Sequence, residues 1–140
     1  MNQINNMQKF YNRCDYIIEN LKEYLAEVRS KIKEVEVDDI DLENVVLIDV
    51  REEDEFASGV IPANTIFTIP RGKLEFSLQT ILPYIDKEIV CYCLKGARGA
   101  LATKTLNDLG INAKNLKGGI EAWVKAKKPI KNYLGVFVES

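Results

Sequence analysis

Residues 89–110 read Ile89-Val90-Cys91-Tyr92-Cys93-Leu94-Lys95-Gly96-Ala97-Arg98-Gly99-Ala100-Leu101-Ala102-Thr103-Lys104-Thr105-Leu106-Asn107-Asp108-Leu109-Gly110. The opening run is short, apolar and rich in β-branched and aromatic residues, as a buried strand requires. Small residues follow at Gly96 and Ala97, and helical periodicity then continues to Leu109, where Gly110 supplies a stop. A strand, a tight loop and a helix in direct succession form the repeating unit of a parallel α/β sheet.

The same alternation extends in both directions. Further strands are predicted at Val45 to Asp49, Thr65 to Phe67 and Asn115 to Leu116, with a short first one near Glu36. Helices are predicted at Asp39 to Glu43, Glu52 to Ser58, Gly72 to Leu82, Ala97 to Leu109 and Gly119 to Lys125. The expected fold class is therefore α/β, a central parallel sheet flanked by helices. Lys117-Gly118-Gly119 is a turn signal into the last helix, where the glycines serve the turn.

Residues before this region follow a different rule. Ile4, Met7, Tyr11, Cys14, Ile18, Leu21, Leu25, Val28, Ile32 and Val35 alternate steps of three and four, while Phe10, Ile17 and Tyr24 widen the stripe. No proline or glycine interrupts it, so a long amphipathic helix precedes the sheet domain. Its apolar face needs a partner. Two copies pairing across a two-fold axis would supply one, and packing back on the same chain is the alternative. The expected organisation is residues 1–37 as this helix, 38–130 as the α/β domain and 131–140 as a tail, whose Tyr133 to Val138 stretch is apolar enough to add an edge strand or to cover the helix.

With 140 residues, 46% of them hydrophobic and 29% charged, the chain has the size and composition of one globular domain. A net charge of -2 offers no long-range attraction to nucleic acid or anionic lipid, so neither is an expected partner. Its longest apolar runs fall far short of the ~20 residues of a membrane span, and the N-terminus lacks the apolar stretch of a secretory signal. A cytoplasmic location is expected, although a mature exported chain would look the same. Cys14, Cys91 and Cys93 are an odd set, better suited to a reducing compartment than to a staple. There is no histidine, which removes Ser-His, Cys-His and zinc-His chemistry from this chain alone. A Cys91-x-Cys93 metal site lacks a second ligand pair, so no metal or cofactor is expected.

The chemistry therefore centres on Cys93. It ends a strand at the sheet's carboxyl edge, where α/β proteins bind ligands. The loop Leu94-Lys95-Gly96-Ala97 can turn backbone N–H groups inward, and the following helix adds its positive N-terminal dipole. A free thiol has a pKa of ~8.5, which such surroundings lower, so peptide dipoles can replace the missing base. This requires a Cys93 that water and small reagents can reach. Cys91 lies on the same strand face one step deeper and reads as core filler, as Cys14 reads as a seam position. Asp49 is placed to cap the Glu52 helix or to orient a basic side chain, capping being the more usual role. Trp123 reads as core behind the loop.

Together, Val46-Leu47-Ile48-Asp49-Val50-Arg51, Ile61-Pro62-Ala63, Cys93 with Arg98 closing its loop, and Lys117-Gly118-Gly119-Ile120-Glu121-Ala122-Trp123 resemble the ordered motifs of a single-domain rhodanese, a sulfurtransferase, over residues 38–130. Arg71-Gly72-Lys73-Leu74-Glu75 and Ala97 to Ala102 resemble more narrowly the small homodimeric Sud-type polysulfide sulfurtransferases. The resemblance implies that Cys93 takes a sulfane sulfur from thiosulfate or polysulfide, becomes a persulfide and passes the sulfur to cyanide or a thiol. It also implies a substrate-binding set of Arg98, Arg51, Arg71, Lys95, Leu94, Gly96 and Ala97, with no cofactor. Arg98 would hold the donor's charge or fasten the loop. Arg51 and Arg71 would hold a sulfur chain or form ion pairs with Asp49, Glu52 or Glu75, and Lys95 would assist anion entry or simply be solvated. The sequence departs from the family pattern at Val60, at Pro62-Ala63-Asn64, and at Leu94, where Sud-type proteins carry a basic residue.

Two other classes compete. Cysteine-dependent phosphatases and arsenate reductases also close a loop with arginine, but phosphatases place five residues between the two, and here four separate Cys93 from Arg98. A noncatalytic binding module, with the long helix as its working part, is the other.

Overall fold

A computed structural model describes residues 2–139, with side chains from residue 5 onward. Its central sheet is five-stranded and wholly parallel, in the order β1 (Glu34–Val35), β5 (Ala113–Leu116), β4 (Ile89–Tyr92), β2 (Val46–Asp49), β3 (Thr65–Thr68). Every residue of β2 and β4 is buried, because strands in the middle of a parallel sheet are covered on both faces. Their registers run Val46 opposite both Thr65 and Ile89, and Asp49 opposite Thr68 and Tyr92.

Alternation along the strands sorts their side chains into two layers. Val46, Ile48, Cys91 and Cys93 face one cluster with Leu74, Ile81 and Leu106, under α3 (Leu78–Ile81) and α4 (Ala97–Asp108). Val45, Leu47, Val90 and Tyr92 face the other, with Ile61, Leu116, Ile120 and Trp123 from α5 (Gly119–Lys125). The chain reverses direction across the sheet between β2 and β4, since β3 lies on one side of β2 and β4 on the other. That is the switch point at which such sheets open a crevice.

Several expected elements take other forms. Instead of a helix over Asp39 to Glu43 there is a 3-10 turn at Val37–Asp39, and the Asp41 carboxylate then accepts hydrogen bonds from Glu43 N at 3.1 Å and Asn44 Nδ2 at 2.7 Å. An aspartate that satisfies the backbone through its own side chain favours a turn over a helix. The helix expected over Gly72 to Leu82 is broken into 3-10 turns at Arg71–Lys73, Glu75–Ser77 and Leu82–Tyr84 around the four-residue α3. Ser77 Oγ donates to Lys73 O, and Pro83 stands in the first turn of the last segment, so neither allows a continuous ladder. Likewise α2 is confined to Glu53–Phe56. The tail does not extend the central sheet. Ile130–Asn132 (β6) and Gly135–Phe137 (β7) form a separate antiparallel pair, joined through Lys131 to Val60.

The long helix α1 runs from Asn2 to Ser30 and has two fates. Val28 is buried, and the C-terminal part packs on α4. Met7, Phe10, Tyr11, Ile17, Ile18, Leu21 and Tyr24 are all more than half exposed. The seam position Ile4 lies outside the described side chains. No helix among the described residues is long and apolar enough to cross a membrane.

Candidate active site

The loop after β4 is held open by its neighbours. Cys93 O and Leu94 O accept hydrogen bonds from Ile120 N at 2.9 Å and Glu121 N at 3.0 Å, in the first turn of α5. With those carbonyls engaged by α5, Gly96 N–H donates to Cys93 Sγ over 3.1 Å. Gly96 has φ +123°, a backbone conformation that side-chain-bearing residues rarely adopt. Its carbonyl caps the start of α4, accepting from Ala100 N at 2.9 Å, and also takes Asn115 Nδ2 at 3.1 Å. Gly119, at φ +63°, lies so close to the Cys93 and Leu94 carbonyls that a Cβ there would collide with both.

The expected access of water to Cys93 is not what the structure shows: the side chain lies on the floor of the loop. Only 1% of the residue is exposed, and it belongs to the apolar cluster between sheet and α4. The strand's last inward-facing side chain points down into that layer, and the loop folds over it. Cys91, one step deeper, is fully buried, and burial raises its thiol to a pKa of about 12.

The expected ligand-binding residues separate into groups. Leu94, exposed, and Ile120, Val124 and Arg51 help to line a groove of about 330 Å³ beside the loop. Lys95 is exposed on the loop, and Ala97 begins α4. Arg98 crosses to α2, where its two terminal nitrogens meet the Glu55 carboxylate at 2.6 and 3.1 Å. That hydrogen bond, helped by Coulomb attraction, holds Glu55 at a pKa of about 2 despite partial desolvation. Arg98 lies close enough to Cys93 for a negative charge on that sulfur to act on it.

Arg51 is only 3% exposed and is used internally. It donates to Asp49 through Nε (3.0 Å) and a terminal nitrogen (2.8 Å), and to Gly59 O at 2.6 Å. Asp49 thus orients a basic side chain and does not cap α2, a task performed by Glu52 and Glu55 as a reciprocal capping box. Arg71 is turned to Glu75 and Thr105, each at 2.9 Å, and lines a cavity between α1 and α4 together with Tyr24, Val28 and Lys31. The structure therefore places Gly96 against Cys93 and lines one groove with Leu94 and the Asp49-paired Arg51, while it turns Arg98 to Glu55 and Arg71 to Glu75 and Thr105. Two contributors escape a reading of the sequence: Asn115, whose only signal is a polar residue in a buried strand, and Glu55, signalled by its spacing from Glu52.

The profile of the Rhodanese-like domain matches residues 26–126. The chain belongs to that family. Among curated proteins, the putative sulfurtransferase YtwF of Bacillus subtilis is 37% identical over 62% of this chain and 81% of its own length. The thiosulfate:glutathione sulfurtransferase of Saccharomyces cerevisiae is 36% identical over 58% of this chain and 66% of its own. A solved structure from Rhodopseudomonas palustris, described as a protein of unknown function and possible tyrosine phosphatase, is 32% identical and superposes with a TM-score of 0.67, covering 78% of this chain and 92% of that one. Within the rhodanese-like frame the parallel sheet, the switch-point crevice and the cysteine loop are one arrangement. The match starts inside α1, at the part that packs on the domain, and leaves the exposed half outside.

Proposed function

We propose that this rhodanese-like protein is a sulfurtransferase with Cys93 as its sulfur carrier. The observation that carries the reading is the Gly96 N–H aimed at Cys93 Sγ at 3.1 Å, in a loop whose carbonyls are already engaged by α5. A charge on that sulfur is stabilised by fixed dipoles without any base. With thiosulfate as donor, the Cys93 thiolate attacks the outer sulfur, a Cys93 S–S bond forms, and the sulfur–sulfur bond of thiosulfate breaks with sulfite leaving on the electron pair. The persulfide anion then yields its terminal sulfur to cyanide or to a thiolate, and Cys93 returns as the thiolate. Polysulfide would donate by the same exchange. The names of the relatives support this chemistry. The enclosure of Cys93 further favours delivery of a single protruding sulfur atom over attack on a bulky group.

The deciding experiment is intact-protein mass spectrometry after exposure to thiosulfate or polysulfide. The expected result is a gain of one sulfur atom on Cys93, lost on adding cyanide; a protein that takes up none is a binding module instead. Turnover of an aryl phosphate would favour the phosphatase reading, which the four-residue spacing to Arg98 opposes. In the same proposal α1 pairs two copies through its exposed stripe, and the protein works in a reducing compartment.

A further inference from the structure

We infer that Glu55 shifts the donor preference of this site by neutralising Arg98, so that the thiosulfate dianion is favoured less, relative to sulfur donors of lower charge such as organic persulfides, than a free Arg98 would favour it. The inference rests on the sulfurtransferase reading for its substrate class, but its physical content is the charge of the pocket.

Arg98 follows the cysteine loop directly, and both of its terminal nitrogens are engaged by one carboxylate. Glu55 stays ionised down to a pKa of about 2, so this neutralisation is permanent under ordinary conditions. Arg51 and Arg71, at the carboxyl end of the sheet, are matched in the same way, by Asp49 and by Glu75. Lys95 forms no salt bridge among the described residues and is the single unmatched cation on the loop. A dianion approaching Cys93 therefore finds Arg98 already neutralised, and the remaining unmatched cations there are Lys95 and the Arg29 guanidinium beside Gly96, which forms no salt bridge among the described residues. Glu55 is also held in place. Its Oε1 accepts Glu52 N at 3.0 Å within the capping box, which fixes the carboxylate across the start of α4. It is a positioning residue: it acts on the donor through Arg98.

Glu55→Gln is nearly isosteric. Glutamine serves a capping box as well as glutamate does and can still accept from Arg98, so the variant removes charge and little else. Its effect is read by the rates at which Cys93 is alkylated by anionic iodoacetate and neutral iodoacetamide, resolved by peptide mass spectrometry with Cys14 as internal reference. The ratio of the two rates should rise roughly fivefold in Glu55→Gln, as expected for one unscreened charge near the surface. It should fall below wild type in Arg98→Gln, which leaves the Glu55 charge unmatched, and return toward the wild-type value in the double variant, where the pair again carries no net charge. Glu53→Gln, which frees Lys73 on the same helix, should move the ratio far less. In turnover, Glu55→Gln should lower KM for thiosulfate with a smaller effect on a neutral-bodied persulfide such as that of cysteamine. An unchanged ratio in Glu55→Gln, an equal change in Glu53→Gln, or a Cys93 that neither reagent modifies overturns the inference. Sulfur uptake by wild type alongside an unchanged ratio would leave the sulfurtransferase reading standing alone. The expected ratios without sulfur uptake would keep the charge assignment and remove the transfer chemistry.

Discussion

Cys91 and Cys93 share one strand face and one apolar layer, yet only Cys93 takes a backbone N–H of the loop, that of Gly96, while Cys91 has the Thr103 hydroxyl beside it. Burial outweighs that hydroxyl and the charge of Arg71 and pushes the Cys91 thiol up to about 12. Cys91→Ser is accordingly expected to retain sulfur uptake by mass spectrometry, whereas Cys93→Ser should abolish it while preserving the circular dichroism spectrum. The Glu55–Arg98 pair makes a separate, pH-dependent prediction. The pKa of Glu55 is lowered on folding, so its stabilisation is complete above the unfolded value of ~4.3 and is lost as pH falls through about 2. The urea midpoints of wild type and Glu55→Gln should therefore differ at neutral pH and converge between about pH 4 and pH 2. A constant gap across that window would show that the carboxylate's charge is not what Arg98 contributes to stability.

At the scale of elements, α1 is one helix by periodicity and two by environment. Its regular spacing does not distinguish the buried Val28 from the exposed Ile17 and Ile18, because both kinds of position satisfy the same repeat. Val28→Ala should destabilise the domain by about 1.5 kcal/mol, from the two methyl groups withdrawn from the core. Ile17→Ala together with Ile18→Ala should leave the domain's denaturation midpoint unchanged and, with α1 as the pairing surface, shift sedimentation from dimer toward monomer. A wild-type protein that sediments as a monomer would remove that role. The turn into α5 is equally specific: Gly119→Ala meets the Cys93 and Leu94 carbonyls and strains a positive φ, so it should cost more than 1 kcal/mol and impair sulfur uptake together.

Across the whole molecule, the strands at Val46–Asp49 and Ile89–Tyr92 were legible because a strand in the middle of a parallel sheet is an uninterrupted apolar run, and the edge strand Thr65–Thr68 through its β-branched and aromatic residues. The segments around Asp41 and Ser77 were not, since side chains there compete for the backbone over distances shorter than any periodicity. In the candidate site, sequence order alone proposed Cys93, Gly96 and Arg98, for a nucleophile and its cradle would lie within a few residues on one strand–loop–helix unit. Their environment was a different matter. Arg98 meets a carboxylate 43 residues earlier in the chain, Asn115 reaches Gly96 from a neighbouring strand, and Arg71 turns away toward Thr105. Local pattern thus determined the fold class, the nucleophile's loop and the long helix by itself. The strand order and the packing of α2, α4 and α5 decided which charges are neutralised and that Cys93 lies beneath its loop, because such contacts join segments whose separation no local pattern encodes.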